Sequence, residues 1–305
     1  MKIRDKTFLI TGGSGYIGSR TATALIKRGA KVVIVDSLSS GKKAFRVAGA
    51  RLYKVDLLNA SQLKKIFEKE RPEFVFHFAG NVLVHKILDM PVADAQIIIA
   101  SLNLMHCAKL YGVKKIIFSS SGLLYGNQLK QPISEKAPID PVTPYVVSKH
   151  AVENYLLFYK KTLGMPCVIL RYATVYGPGQ ISGALTDYIR KLRTNQQAEI
   201  WGDGTKTRDY VFIDDVVRAN MRALDVPNDI QSPIFNVSTG KETSLNDLYR
   251  MIASLLRKKP DPIYHPDRLG EQKRYCLDST KIKKLLGWQP KTTLERGLRK
   301  IILEL

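Results

Sequence analysis

The chain has 305 residues, with 48 Lys+Arg against 27 Asp+Glu and a formal net charge of +21. A hydrophobic content of 45% at this length supports one large core and a smaller lobe, and excludes a disordered or collagen-like chain. Cys107, Cys167 and Cys276 are widely spaced and stand in no CxxC or His-rich cluster, which argues for buried thiols rather than a disulfide framework or a zinc site.

The charged start, Met1 to Lys6, leads into an apolar run that stops at Thr11-Gly12-Gly13, too short for a signal peptide. Later apolar stretches fall far short of a membrane span. The expectation is a cytoplasmic protein with no membrane partner. Its basic residues are scattered in pairs such as Lys42-Lys43, Lys114-Lys115 and Lys160-Lys161. Without one basic tract, they read as solvated helix faces biased toward anionic ligands, and no nucleic-acid partner is expected.

In chain order, Thr7-Phe8-Leu9-Ile10 reads as a strand and 17–28 as a helix. Between them lies Thr11-Gly12-Gly13-Ser14-Gly15-Tyr16-Ile17-Gly18. Gly12 permits a tight turn, Gly15 lets the backbone approach a pyrophosphate, and Gly18 lets the helix pack on the strand. A pyrophosphate would then meet the positive helix N-terminus.

Val32-Val33-Ile34-Val35 forms the second strand, followed by Asp36. A carboxylate there accepts hydrogen bonds from both ribose hydroxyls and repels a 2′-phosphate, which favours NAD over NADP. Val55-Asp56-Leu57 is read as the end of the third strand. Asp56 either meets the adenine amino group or caps the helix at 61–69. Phe74-Val75-Phe76 is the fourth strand, and the small residues of His77-Phe78-Ala79-Gly80 let a cofactor lie close to the backbone.

A helix at 94–110 and a strand at Ile116-Ile117-Phe118 follow, then Ser119-Ser120-Ser121. The next helix, 145–163, precedes a strand at 167–170. Strands alternating with helices imply βαβ units and a buried parallel sheet, an α/β doubly wound fold of Rossmann type. The regularity breaks beyond Tyr176-Gly177-Pro178-Gly179. Residues 1–176 are therefore read as an NAD-binding domain to which 212–238 return, and 177–211 with 239–305 as an interleaved substrate lobe.

The strongest chemical signal is Tyr145-Val146-Val147-Ser148-Lys149. Four residues apart on a helix, the phenol and the ammonium share a face. The cation favours the phenolate, so Tyr145 is expected to titrate closer to neutrality and to act as general base on a sugar hydroxyl. The serine cluster can share that proton.

These motifs, in the order TGGSGYIGS, VDSLSSGK, VDLL, HFAG, FSSSGLLYG, YVVSK, LRYATVYGPG, GDGTKTRDYVFIDDVVRA and RLGEQKRYCLDSTKIKKLLGW, cover nearly the whole chain. The sequence resembles the extended short-chain dehydrogenase/reductase family. Within it, the chain is similar to the NAD-dependent sugar-nucleotide epimerase/dehydratase group, most of all the UDP-glucose 4-epimerases. The resemblance implies that Ser121, Tyr145 and Lys149 are catalytic. It places Tyr16, Ile17, Asp36, Ser37, Leu38, Ser39, Ser40, Gly41, Asp56, Leu57, Phe78, Ala79, Gly80 and Ala173 at NAD-contacting positions. Arg208, and Arg268 with Glu271, would hold the nucleotide diphosphate and ribose, as suits guanidinium groups.

Departures from the family pattern include Thr174 and Ala184 at substrate-side Asn positions. Ala173 replaces an aromatic residue, and Ile97 or Ile98 a cofactor-side Asn. Dehydratases of the group carry acidic side chains where this chain has Gly122 and Leu123. The resemblance therefore implies C4 epimerisation of a UDP-hexose such as UDP-glucose or UDP-galactose by a homodimer. Tyr275, beside the sugar's C2 substituent, would exclude N-acetylated sugars or else pack the lobe interface. Another reaction of the same family is the alternative, followed by an NAD-binding regulatory or nucleic-acid-binding protein.

Overall fold

The computed structural model describes residues 1–39, 45–80, 91–259, 261–267 and 272–304. The first half builds β1 (Thr7–Thr11), α1 (Tyr16–Ile26), β2 (Lys31–Asp36), β3 (Ala50–Lys54), α2 (Ala60–Glu70), β4 (Phe74–His77), α3 (Pro91–Leu110), β5 (Lys115–Ser121), α4 (Pro144–Leu163) and β6 (Cys167–Tyr172). The β-branched and aromatic content of β1, β2, β4 and β5 suits strands buried on both faces, as a parallel sheet covered by helices requires.

After β6 come β7 (Thr174–Tyr176), α5 (Ala184–Arg193), β8 (Glu199–Trp201), β9 (Thr207–Arg208), β10 (Tyr210–Phe212), α6 (Ile213–Ala223) and β11 (Ile234–Val237). The chain closes through β12 (Thr243–Ser244), α7 (Leu245–Leu255), β13 (Ile263–His265), α8 (Thr280–Leu286) and α9 (Leu294–Glu304).

Seven strands form the main sheet in the order β11-β6-β5-β4-β1-β2-β3. The β1–β2, β1–β4, β2–β3 and β4–β5 pairings are parallel. Strand order reverses between β1 and β4, and that switch point is where an open α/β sheet leaves a crevice beyond its carboxyl ends. One face of the sheet packs Leu9, Val33, Val75, Ile116 and Phe118 against Leu63, Phe67, Leu104, Ala108, Val152 and Leu156 of the covering helices. On the other face Phe8 stacks on Phe74 at 5.1 Å between ring centroids.

Two compact units divide the chain. The first comprises Met1–Leu124, Pro141–Arg171 and Val217–Phe235, and the second Tyr125–Asp140, Tyr172–Val216 and Asn236–Leu305. In the second, β7 pairs with β10 in parallel, β9 with β12 antiparallel, and β8 with β13 in parallel.

One sequence expectation is corrected here: β3 stops at Lys54, so Asp56 lies beyond the strand. Its Oδ1 accepts the Leu58 N–H at 2.9 Å, while the cap of α2 is Asn59, whose side chain accepts the Gln62 N–H. A short side-chain acceptor satisfies a local turn amide more readily than a ladder can continue through it.

Candidate active site

The glycine turn connects β1 to α1 where the strand order reverses. Gly12 has φ +65°, and a Cβ there would stand 2.7 Å from the Ala79 nitrogen. A Cβ on Gly18 would lie 2.2 Å from the Gly12 carbonyl oxygen, so only glycine lets α1 approach the turn. Gly15 is the N-cap, no side chain caps α1, and its first turn holds no acid. Tyr16 and Ile17 begin the helix. The leading N–H groups thus keep the donor character that an anion would use.

Asp36 ends β2 with Oδ2 accepting the Ser14 N–H and Oδ1 the Leu38 N–H, both at 2.9 Å. Leu38 adopts φ +57°, and the Ser37 and Ser39 hydroxyls are 3.1 Å apart. Ser40 and Gly41 lie outside the described residues. Asp56 is exposed, whereas Leu57 is buried and its carbonyl accepts from Asn103 at 2.9 Å. After β4, Phe78 stacks on Phe76 and the Ala79 N–H donates to Thr11 at 3.3 Å. Gly80 is exposed, and a Cβ there would stand 3.3 Å from the Lys149 ammonium. A cramped glycine turn, a helix N-terminus without a side-chain cap and a strand-end carboxylate fit a dinucleotide. No structural observation on these residues argues against NAD.

A buried polar chain underlies this edge, and the sequence reading did not single it out. The Thr11 hydroxyl lies 2.6 Å from His77 Nδ1, and His77 Nε2 lies 2.9 Å from the Ser101 hydroxyl. Ser101 itself donates to the Ile97 carbonyl at 2.7 Å, so it accepts from His77 Nε2–H, and Nδ1 accepts from Thr11. Burial pushes the imidazole down to about 3, with the Lys149 charge acting in the same direction.

Helix α4 carries the proton-handling residues. Thr143 caps it by accepting the Val146 N–H, Pro144 opens it, and Gly164 ends it in the left-handed region, so the Tyr145–Lys149 spacing is rigid. Tyr145 and Lys149 are 6% and 3% exposed. Lys149 Nζ donates to the Ser119 carbonyl at 2.8 Å and sits 4.6 Å from the Phe118 ring centroid and 5.9 Å from that of Tyr145.

The Ser121 side chain lies beside the Tyr145 phenol and favours its ionised form, and the Ser121 hydroxyl accepts the Leu123 N–H at 3.2 Å. Burial lowers Lys149 to about 8, opposed by Glu153 and Asp94. Neither carboxylate oxygen of buried Asp94 has a hydrogen-bond partner among the described residues, and burial pushes that group up.

The expected drop of Tyr145 toward neutrality is not what this ligand-free site produces. Burial drives the phenol up to about 12, and the Ser121 side chain only partly offsets it. Desolvation of the phenolate, aided by the nearby Asp94 carboxyl, outweighs the Ser121 contribution.

Within the second unit, Thr174 lies on β7 and Arg208 on β9, while Ala173 and Tyr275 stand outside the strands. The Ala173 N–H donates to the Val237 carbonyl at 3.0 Å and that of Thr174 to Asp209 at 2.9 Å. Arg208 Nη1 donates to the Thr207 and Gln272 carbonyls at 2.8 and 2.9 Å. Tyr275 is 1% exposed, and its phenol donates to the Tyr172 carbonyl at 2.9 Å. Arg268 and Glu271 lie outside the described residues.

Sheet order, glycine turn and the Tyr–Lys helix face together define a dinucleotide-dependent α/β enzyme. The chain belongs to the NAD dependent epimerase/dehydratase family, whose model matches residues 8–238. It is 36% identical over 305 residues to the UDP-glucose 4-epimerase of Mycolicibacterium smegmatis, with 96% of each chain covered. The crystal structure of the UDP-glucose 4-epimerase of Thermotoga maritima with UDP-glucose superposes with a TM-score of 0.94 at 38% identity, covering 97% of both chains. The Thermus thermophilus UDP-glucose 4-epimerase in complex with NAD gives a TM-score of 0.90 at 30% identity, again over 97% of both chains.

Proposed function

We propose that this NAD-dependent enzyme epimerises C4 of a UDP-hexose, interconverting UDP-glucose and UDP-galactose through a 4-keto sugar. The observation that carries the reading is the buried Tyr145 phenol beside Ser121, with Lys149 one turn along α4. The similarity to UDP-glucose 4-epimerases supports it.

NAD, when bound, supplies reversible hydride acceptance. Gly12, Gly15, Gly18, Tyr16 and Ile17 would hold its pyrophosphate end, Asp36 its adenine-side ribose, and Phe78, Ala79, Gly80 and Ala173 would line its path. Tyr145 removes the C4 hydroxyl proton and later returns it, and Ser121 shares that hydrogen bond. Lys149 provides the positive charge that stabilises the phenolate once a ligand displaces water and adds its own field. This reading assigns Ser121, Tyr145 and Thr174 to the sugar, Arg208 to the diphosphate and Tyr275 to the C2 substituent. Gly122 and Leu123 offer no acid for dehydration, which favours epimerisation over it.

We further infer a cytoplasmic homodimer. No described helix is long and apolar enough to cross a membrane, and all three cysteines are free and buried. Helices α3 and α4, which pack together, leave Ile99, Leu110, Val147, Tyr155 and Phe158 exposed, an apolar surface suited to a second copy. Light scattering of wild type and a Tyr155→Lys/Phe158→Glu variant tests this: a monomeric wild type refutes it.

The decisive experiment supplies UDP-galactose and UDP-glucose separately and follows both sugars by NMR and mass. Each is expected to yield the same mixture without loss of water. No interconversion of either, or a dehydrated product, overturns the reading.

A further inference from the structure

Three consecutive serines at the end of β5 each contact a different residue of α4. Ser121 lies beside Tyr145, the Ser119 carbonyl accepts from Lys149 at 2.8 Å, and the Ser120 hydroxyl donates to Glu153 Oε1 at 2.5 Å. Tyr145, Lys149 and Glu153 are spaced four residues apart, so they share one helix face. Glu153 is 1% exposed. Its carboxylate is gripped by Arg171 of β6 through Nε at 3.0 Å and Nη2 at 2.6 Å, a bidentate pair inside the first unit. A buried ion pair contributes little net stability by itself, and what it supplies beside a reacting face is fixed geometry.

We propose that Glu153 is a positioning residue: clamped by Arg171, it holds Ser120 and so the serine run that meets the phenol, and its negative charge one turn from Lys149 keeps that lysine an ammonium. The proposal rests on the reading that Tyr145 and Lys149 move the proton. The groups facing Lys149 are Tyr145 and Glu153 on its own helix, Asp94 from α3, neutral His77 from β4, and the Ser119 carbonyl and Phe118 ring from β5. Of the two carboxylates, only Glu153 is locked by an ion pair among the described residues.

The test follows Lys149 by NMR of protein carrying carbon-13-labelled lysine, assigned with Lys149→Met, alongside the pH dependence of kcat/KM for UDP-galactose. In Glu153→Gln the Lys149 titration and the alkaline limb should both move down by about one pH unit, as loss of a close opposite charge requires. If loss of the ion pair prevents that variant from folding, Glu153→Gln/Arg171→Gln removes the carboxylate together with the guanidinium and should shift the Lys149 titration in the same direction by a smaller amount. Ser120→Ala keeps the ion pair. It should leave the titration in place and lower kcat about tenfold with KM unchanged. An unmoved Lys149 titration in a folded Glu153 variant, or full kcat in Ser120→Ala, overturns the proposal. A wild type that turns over no UDP-sugar would refute the epimerase reading instead, and the NMR titration would still decide the role of Glu153.

Discussion

The Asp36 carboxylate accepts the backbone N–H of Ser14 at 2.9 Å, tying the end of β2 to the glycine turn. The same acid therefore shapes the turn and places negative charge where an adenine ribose would lie. Wild type should bind NAD at least about tenfold more tightly than NADP, a difference of about 1.4 kcal/mol. Asp36→Ala should loosen NAD and erase the preference. Calorimetric affinities for both cofactors check this, and equal wild-type values sink it.

Tyr145→Phe should lose at least about two orders of magnitude in turnover while retaining NAD, because a positioned acid–base group supplies that much. In the ligand-free protein, the wild-type-minus-variant ultraviolet difference should titrate at about 12, since burial opposes the phenolate. Cofactor should bring that value down. Lys149→Met should loosen NAD and shift the pH–rate profile toward alkali. Near-normal turnover in Tyr145→Phe would exclude the proposed mechanism.

His77 makes acid stability predictable. Its folded pKa, about 3, lies below the ordinary 6.5 because the ring is buried among Thr11, Ser101 and Phe118. A depressed folded value means the stabilisation is fully present above about pH 6.5 and is lost as the pH falls toward 3. The full loss amounts to roughly 4–5 kcal/mol. Urea melts of wild type between pH 7 and 4 should steepen relative to His77→Gln. Parallel pH dependence in the two proteins would show that the imidazole does not stay neutral.

Tyr275 sits in the second unit's core with its phenol on the Tyr172 carbonyl, next in chain to Ala173 and Thr174. Tyr275→Cys should raise the kcat/KM ratio of UDP-N-acetylgalactosamine to UDP-galactose. It should also lower stability by about 3–5 kcal/mol, as large-to-small core changes do. An unchanged ratio in a folded variant would assign the residue to packing alone.

Much of this molecule is legible without coordinates. Local spacing suffices for the strand–turn–helix around Gly12, Gly15 and Gly18, because only glycine tolerates the approaches to Ala79 and to the Gly12 carbonyl. The Tyr145–Lys149 face follows from helical period alone. What tertiary structure decided is electrostatic and long-range. The fate of the Tyr145 phenol depends on how completely β5, α3 and α4 exclude water from it, which no spacing encodes. Glu153 meets Arg171 and Ser120 from three separate elements, and His77 finds Thr11 and Ser101 across 66 and 24 residues of chain. Periodicity sets which residues share a face. Burial and the partners on other strands set the charge each of them carries.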